Sequence, residues 1–153
     1  MRRETAVAHE ATYPARAEEY GPALRKLLDV GRGVDAMQLM KIQHARLVFS
    51  GALSHLFETI DLLLVPVHPF ADLTIERKTS LLNSAEGLVG ALRYTAPFDM
   101  SGSPTITLPG GFTADGLPIG FQLVGRHLDE ALLVRAGHAY QQATDWHRRH
   151  PPM

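Results

Sequence analysis

Marked as apolar and polar positions, the chain alternates helical periodicities with short unbroken apolar runs. The longest periodic stretch follows Asp35, a residue type suited to capping a helix. Leu39, Ile42, Phe49, Leu53, Leu56, Phe57 and Ile60 then recur at spacings of three, four and seven, which predicts an amphipathic helix over about 36–59. At 1.5 Å per residue it would be roughly 36 Å long, long enough to expect part of it to rest on something outside these residues. The apolar run Asp61–Pro66 reads as a strand buried on both faces, ended by Pro66. Ile119–Gly125 sets Ile119, Phe121 and Leu123 against Gln122 and Val124, a second strand. Thr105–Leu108, held between Pro104 and Pro109, is a third. Asp115-Gly116 in the linking stretch Gly110–Pro118 predicts a turn, so the last two strands form an antiparallel pair whose long loop does not fix the register.

Shorter helices fill the rest. Tyr20-Gly21-Pro22 opens one, with proline placed where its missing N–H costs nothing; Leu24, Leu27 and Leu28 form its apolar face and Gly31 is expected to stop it. Ser84–Arg93 carries another through Leu88, Val89 and Leu92. Asp129 is expected to cap a closing helix with a buried stripe of Leu132, Leu133, Ala136, Tyr140 and Ala143. A Leu128–Leu133 staple would fix its entry, His147–Arg149 would complement its dipole, and Pro151-Pro152 would end it. Residues 71–84 show no clear pattern. Residues 1–20, Ala-rich and broken by Pro14, read as a loose or severed end, with helix possible only over Thr5–Tyr13. The sum is an α/β domain over 1–153, in which strands near 61–66, 104–109 and 119–125 form part of a mixed β-sheet packed with helices.

Composition acts mainly by exclusion. Fifteen basic and 16 acidic residues give a net charge of −1, which leaves no electrostatic footprint for nucleic acid or an anionic membrane. The absence of cysteine removes disulfides, thiolate zinc sites and a cysteine nucleophile, and it suits a reducing compartment. No apolar run approaches a membrane span, and Met1-Arg2-Arg3-Glu4 is not followed by the apolar segment of a secretory leader. A cytoplasmic protein is the expectation. His44 and His55 lie eleven apart, and His147 and His150 three apart; neither pair brings a third ligand near, so no metal is expected. Glu76-Arg77-Lys78-Thr79-Ser80 sets a lysine two residues before a serine. It lacks the desolvation and the glycine-rich turn that a Ser–Lys nucleophile requires. His68 lies just beyond the end of the first strand, where ligands gather in α/β sheets, although a solvent-facing loop histidine is the plainer reading.

One run stands apart. Pro97-Phe98-Asp99-Met100-Ser101-Gly102-Ser103-Pro104 is followed by Pro109, Gly111-Phe112, Asp115-Gly116-Leu117-Pro118, Gly120 and Gln122-Leu123-Val124-Gly125. This run resembles the C-terminal signature of the amidase-signature family of serine hydrolases. Ala8-His9-Glu10, Tyr20-Gly21-Pro22, the Asp61–Pro66 strand and Ala143-Thr144-Asp145-Trp146-His147 are similar to the second half of such an enzyme, so the resemblance covers essentially the whole chain. It implies hydrolysis of the C–N bond of carboxylic amides by a Ser–cis-Ser–Lys triad. In the family the lysine lies near the N-terminus and the serines follow in a segment of the G-G-S-S-G-G type. No such segment stands in these 153 residues. The chain therefore resembles the C-terminal portion without the catalytic residues; it is expected to need no cofactor and to be inactive alone.

By that resemblance the portion contributes sheet continuity and one wall of the substrate pocket. The candidate wall is Thr95–Gly102, with Thr95, Phe98, Asp99, Ser101 and Gly102 as its residues; the glycine lets backbone approach a ligand. Plainer roles stand beside these, with Thr95 and Ser101 capping turns and Phe98 in the core. Three positions depart from the family pattern. Asp99 stands where asparagine is common. Gly110 stands where cysteine is frequent. Leu92, five before Pro97, stands where glutamine-hydrolysing members linked to tRNA amidation carry an aspartate for the substrate ammonium, which implies an uncharged or less polar acyl group here. The expected partners are a missing N-terminal catalytic half or further copies of the chain, and a small-molecule amide. The alternatives are a non-catalytic binding or assembly module, and a truncated remnant that self-associates through an uncovered sheet edge and helix face.

Overall fold

The computed structural model describes residues 2–71, 73–82 and 84–150. They divide into two compact units, 1–45 and 46–153.

In the first unit, α1 (Arg2–Ala8), a 3-10 turn (Ala17–Glu19) and α2 (Pro22–Arg32) surround a small core of Ala6, Tyr13 and Leu28. The stretch expected as a loose end is therefore packed. Buried Tyr13 donates its hydroxyl to Asp29 Oδ1 at 2.6 Å, and Arg32 Nη1 donates to the Tyr13 carbonyl at 3.1 Å, which ties residues 9–20 onto α2. Gly31 does not stop α2. It lies buried inside the helix, whose cap is Gly33 in right-handed conformation. α3 (Ala36–Leu56) begins in this unit and ends in the second. Asp35 starts it as expected, with the Gln38 N–H donating to Asp35 Oδ1 at 2.7 Å and the Gln38 side chain returning toward the Asp35 N–H, a reciprocal cap.

The second unit is a three-layer sandwich. β1 (Leu63–Pro66), β2 (Thr105–Phe112) and β3 (Pro118–Val124) form a sheet in the order β1-β3-β2. The sheet expected to be mixed is antiparallel at both of its ladders. β1 and β2 point the same way, but β3 returns between them and separates them. Val124 and Gln122 face one side with their register partners Leu63 and Val65. On that side Val124 packs with Leu53 and Phe57, at the end of α3, and with Phe98. Leu123, Leu108 and Ile106 face the other side and receive Leu133, Ala136 and Tyr140 of α7 (Glu130–Ala143). α7 approaches β2 closely at Gly137, where an added Cβ would stand 3.1 Å from Ile106 Cδ1. Because α7 covers β2 and β3, Leu64 of β1 stays 64% exposed. β1 is not buried on both faces, contrary to its unbroken apolar run.

The β2–β3 hairpin carries one register shift between Pro109 and Gly111. The extra residue is Gly110, where a Cβ would come within 2.9 Å of Phe121 Cδ1, so glycine is what this bulge admits. Between β1 and β2 the chain forms α4 (Ile75–Leu82), α5 (Ala85–Leu92) and α6 (Ala96–Ser101). α4 occupies the stretch that shows no sequence pattern. Thr74 starts it, its hydroxyl accepting from the Arg77 N–H at 3.2 Å. Ser84 caps α5, accepting from the Gly87 N–H at 2.9 Å.

The end of the chain departs from expectation. Asp129 occupies the N-cap position of α7, but its side chain makes no capping bond. Leu128 sits at φ 65° and is 92% exposed, so it turns to solvent and forms no staple with Leu133. α7 stops at Ala143. Trp146–Arg148 is a separate 3-10 turn, and His147–Arg149 do not lie on the helix they were expected to complement. Pro151-Pro152 fall outside the described residues.

Candidate substrate-pocket wall

The candidate wall is a tight turn followed by a short helix. The Thr95 N–H donates to the Leu92 carbonyl at 3.2 Å, and the Thr95 carbonyl accepts from Phe98 and Asp99 at 3.1 and 3.2 Å. Pro97 falls in the first turn of α6, where its missing N–H leaves nothing unpaired. Gly102 closes α6 at φ 76° with its N–H on the Phe98 carbonyl, the left-handed cap that glycine adopts without strain. Arg46 braces the helix by donating from Nε to the Met100 carbonyl.

The five sequence-predicted residues do not converge. Thr95, half-buried, lines a cavity of about 240 Å³ with Val67, His68, Leu73, Lys78, Leu81, Ala91 and Leu92. Phe98 is buried in the core against Leu53, Phe57 and Val124. Asp99 is exposed. Ser101 is buried; its hydroxyl contacts the Phe98 carbonyl at 3.1 Å and pairs with the Ser103 hydroxyl at 2.9 Å. Ser103 in turn lines a second cavity of about 540 Å³ with Ser50, Leu53, Ser54, Phe57, Glu58, Arg126 and His127. Gly102 lies on that side, since a Cβ there would be 3.5 Å from His127 Cε1.

The cavity at Thr95 is mostly apolar, with two nitrogen-bearing side chains on its walls. His68 Nδ1 lies 3.2 Å from the amide of Phe70 and 3.2 Å from its carbonyl, so that nitrogen is engaged by the chain itself. Lys78 comes from α4 and is exposed, which separates it from Ser80 as any desolvated base. In the first turn of α4, the Glu76 carboxyl is held below its ordinary range by its own backbone N–H and then by the Thr74 hydroxyl. Among the described residues no three His, Cys, Asp or Glu side chains are grouped to hold a metal, and no helix is long and apolar enough to cross a membrane.

Sequence reasoning missed the residue that joins these pieces. Gln122, in the middle of β3 and 3% exposed, donates from Nε2 to the Pro66 carbonyl at 3.3 Å and to the Tyr94 carbonyl at 2.5 Å. A carboxamide inside an otherwise apolar strand was the available signal, because a buried amide requires partners. The α4 residues of the cavity, Lys78 and Leu81, left no signal of that kind.

A family model described as Amidase matches residues 2–134. The chain belongs to the amidase family. It is 47% identical over 150 residues to AmiD of Mycobacterium tuberculosis, an amidase by assignment, covering 98% of this chain and 32% of that one. The structure of a 6-aminohexanoate cyclic dimer hydrolase superposes with a TM-score of 0.76 at 23% identity, over 98% of this chain and 34% of the other. That of a bacterial aryl acylamidase of the amidase-signature enzymes gives 0.75 at 20%, over 96% and 32%. At such identities the two structures speak for the fold alone. The amidase match takes in the whole Pro97–Gly125 run, so the resemblance read there holds. The chain spans about a third of the length of these relatives, and the serine-rich catalytic segment is not among its 153 residues.

Proposed function

We propose that this chain is the C-terminal wall of an amidase, contributing to cleavage of the C–N bond of a small-molecule carboxylic amide when a Ser–cis-Ser–Lys half stands beside it. Serine-based amide hydrolysis requires a nucleophile, a base and an oxyanion site, and this reading assigns all three to the other half. What supports it is Thr95, which borders a cavity of about 240 Å³ together with Leu73, Leu81, Ala91 and Leu92. Such a largely apolar surface, with His68 and Lys78 also on its walls, accepts an apolar group while the Thr95 hydroxyl orients it. Apolar Leu92 favours an uncharged acyl group, Phe98 and Ser101 support the wall from behind, and Asp99 and Gly102 shape its outer turn. Its proposed setting is cytoplasmic, in keeping with the absence of cysteine, with neither nucleic acid nor membrane as a partner.

The test is a serine-directed fluorophosphonate applied to the protein as its native source makes it. A labelled species about three times the 16.8 kDa of this chain, as the covered third of its relatives predicts, supports the reading. A folded, unlabelled 16.8 kDa species overturns it for this chain.

A second reading is self-association. Leu47 and Val48 on α3 are 71% and 61% exposed, a form of apolar surface that isolated domains tend to cover. Light scattering at micromolar concentration is expected to show a dimer or larger; a monomer overturns this reading and leaves the first untouched.

A further inference from the structure

We infer that Gln122 is a positioning residue, whose carboxamide clamps together two of the segments that line the Thr95 cavity. Its two acceptors belong to different parts of the chain. Pro66 ends β1 and leads directly into Val67 and His68, and Tyr94 leads directly into Thr95; Val67, His68 and Thr95 all line the cavity. Both partners are carbonyl oxygens, so the amide orientation is fixed without ambiguity, with the NH2 group facing them. The clamp is anchored well. β3 is hydrogen-bonded to strands on both sides, and Val124, two residues on, has no exposed surface. Of the two segments, Pro66 is itself paired with Phe121 in the β1–β3 ladder, whereas Tyr94–Thr95 lies in the turn between the short helices α5 and α6; the carboxamide therefore chiefly secures Tyr94–Thr95. Through this side chain the Tyr94–Thr95 segment is tied to the β1–β3 ladder.

The residue type follows from the geometry. Methionine would fill the volume and donate to neither carbonyl. Glutamate would set a carboxylate against two carbonyl oxygens. Asparagine keeps the chemistry but falls short by one methylene.

The absence of cysteine permits a direct test on the full chain. Thr95→Cys places a single thiol on the cavity. Ala136→Cys, in a separate chain, places one beneath α7 in the opposite core. Gln122→Met and Gln122→Glu are each expected to speed alkylation at position 95 about tenfold, the local opening that losing two hydrogen bonds permits, and to leave position 136 unchanged. Gln122→Asn falls between, and it decides the matter if the other two variants do not fold by circular dichroism. Equal acceleration at both positions, or none at position 95, overturns the inference. The effect on turnover rests on the amidase reading: in an assembled enzyme Gln122→Met raises KM more than it lowers kcat. Should no assembled species label with the fluorophosphonate, that reading fails while the thiol result still stands or falls by itself.

Discussion

Arg126, just past the end of β3, donates from Nε to the carbonyl of Phe57 at 2.9 Å, sixty-nine residues earlier in the chain. Its Nη2 also reaches the Ile60 carbonyl and Asp61 Oδ1, both at 3.1 Å. The guanidinium thus satisfies carbonyls left over beyond the last turn of α3, a role its planar fork suits. Arg126→Ala should cost about 1–2 kcal/mol of stability, mostly from the two carbonyl bonds, since the exposed pair with Asp61 contributes little. Arg126→Lys should recover less than half of that loss, because an ammonium cannot span both carbonyls. Urea unfolding of the three chains checks it; full rescue by lysine would mean that charge alone matters here.

Leu133 is 2% exposed and packs beneath Gly125, with Cγ 3.3 Å from where a Cβ on that glycine would stand. Contact that close leaves little room for the surroundings to collapse. Leu133→Ala should therefore destabilise the chain by about 3–4 kcal/mol, near the upper part of the range for leucine truncation. A loss below about 1 kcal/mol would show that α7 settles onto the sheet after truncation.

Gly102→Ala isolates a backbone effect. The new methyl would meet only His127 Cε1 at 3.5 Å, an ordinary contact, while φ stays at 76°. The expected cost is about 1 kcal/mol, the left-handed penalty for a residue with a Cβ, and Gly102→Asn should cost less. A thermal melt unchanged by alanine would mean that α6 ends by another route.

Tyr13 gives the first unit a dependence on alkaline pH. Its hydrogen bond to Asp29 above all, then burial and the Asp29 charge, raises its pKa above the ordinary 10.0. The folded state holds this proton more tightly than the unfolded state. The contribution is complete below pH 10.0 and is lost as pH rises through the raised value. Tyr13→Phe should be less stable at neutral pH and should lack that part of the alkaline loss. Phenolate absorbance followed beside circular dichroism tests this, and identical alkaline curves for the two chains would refute it.

How much of this was legible depends on the range over which each signal acts. Asp35, the Asp115-Gly116 turn and the alternation through Ile119–Val124 are local, and each foretold its element. The stripe along α3 foretold the helix but not its burial. Only Leu53 is buried within α3, with Phe57 just beyond it, whereas Ile42 is 47% exposed. Period reports which face is apolar, not whether anything covers it. α4 was missed because its start depends on the Thr74 hydroxyl, a cap with no strong apolar rhythm behind it. At the candidate site, the Thr95–Gly102 stretch was recognisable from its motif, but its residues divide among a cavity wall, a core and a surface turn. Gln122 lay within the same motif, and its carboxamide in an apolar strand signalled a need for partners without saying which. Its acceptors are 56 and 28 positions away in sequence, and only the folded sheet brings them to it.

The strand order β1-β3-β2 bears on how the chain can pair with further strands. The last strand in sequence lies at the centre, and no described strand pairs with the outer side of β1 or of β2. Both edges therefore present backbone that a further strand can pair with. In a larger sheet extended at both edges, this chain would sit in the interior as a keystone rather than hang from one margin as an appendage. The join between it and another polypeptide would then run along two separate backbone seams, and undoing either alone would leave the pieces attached.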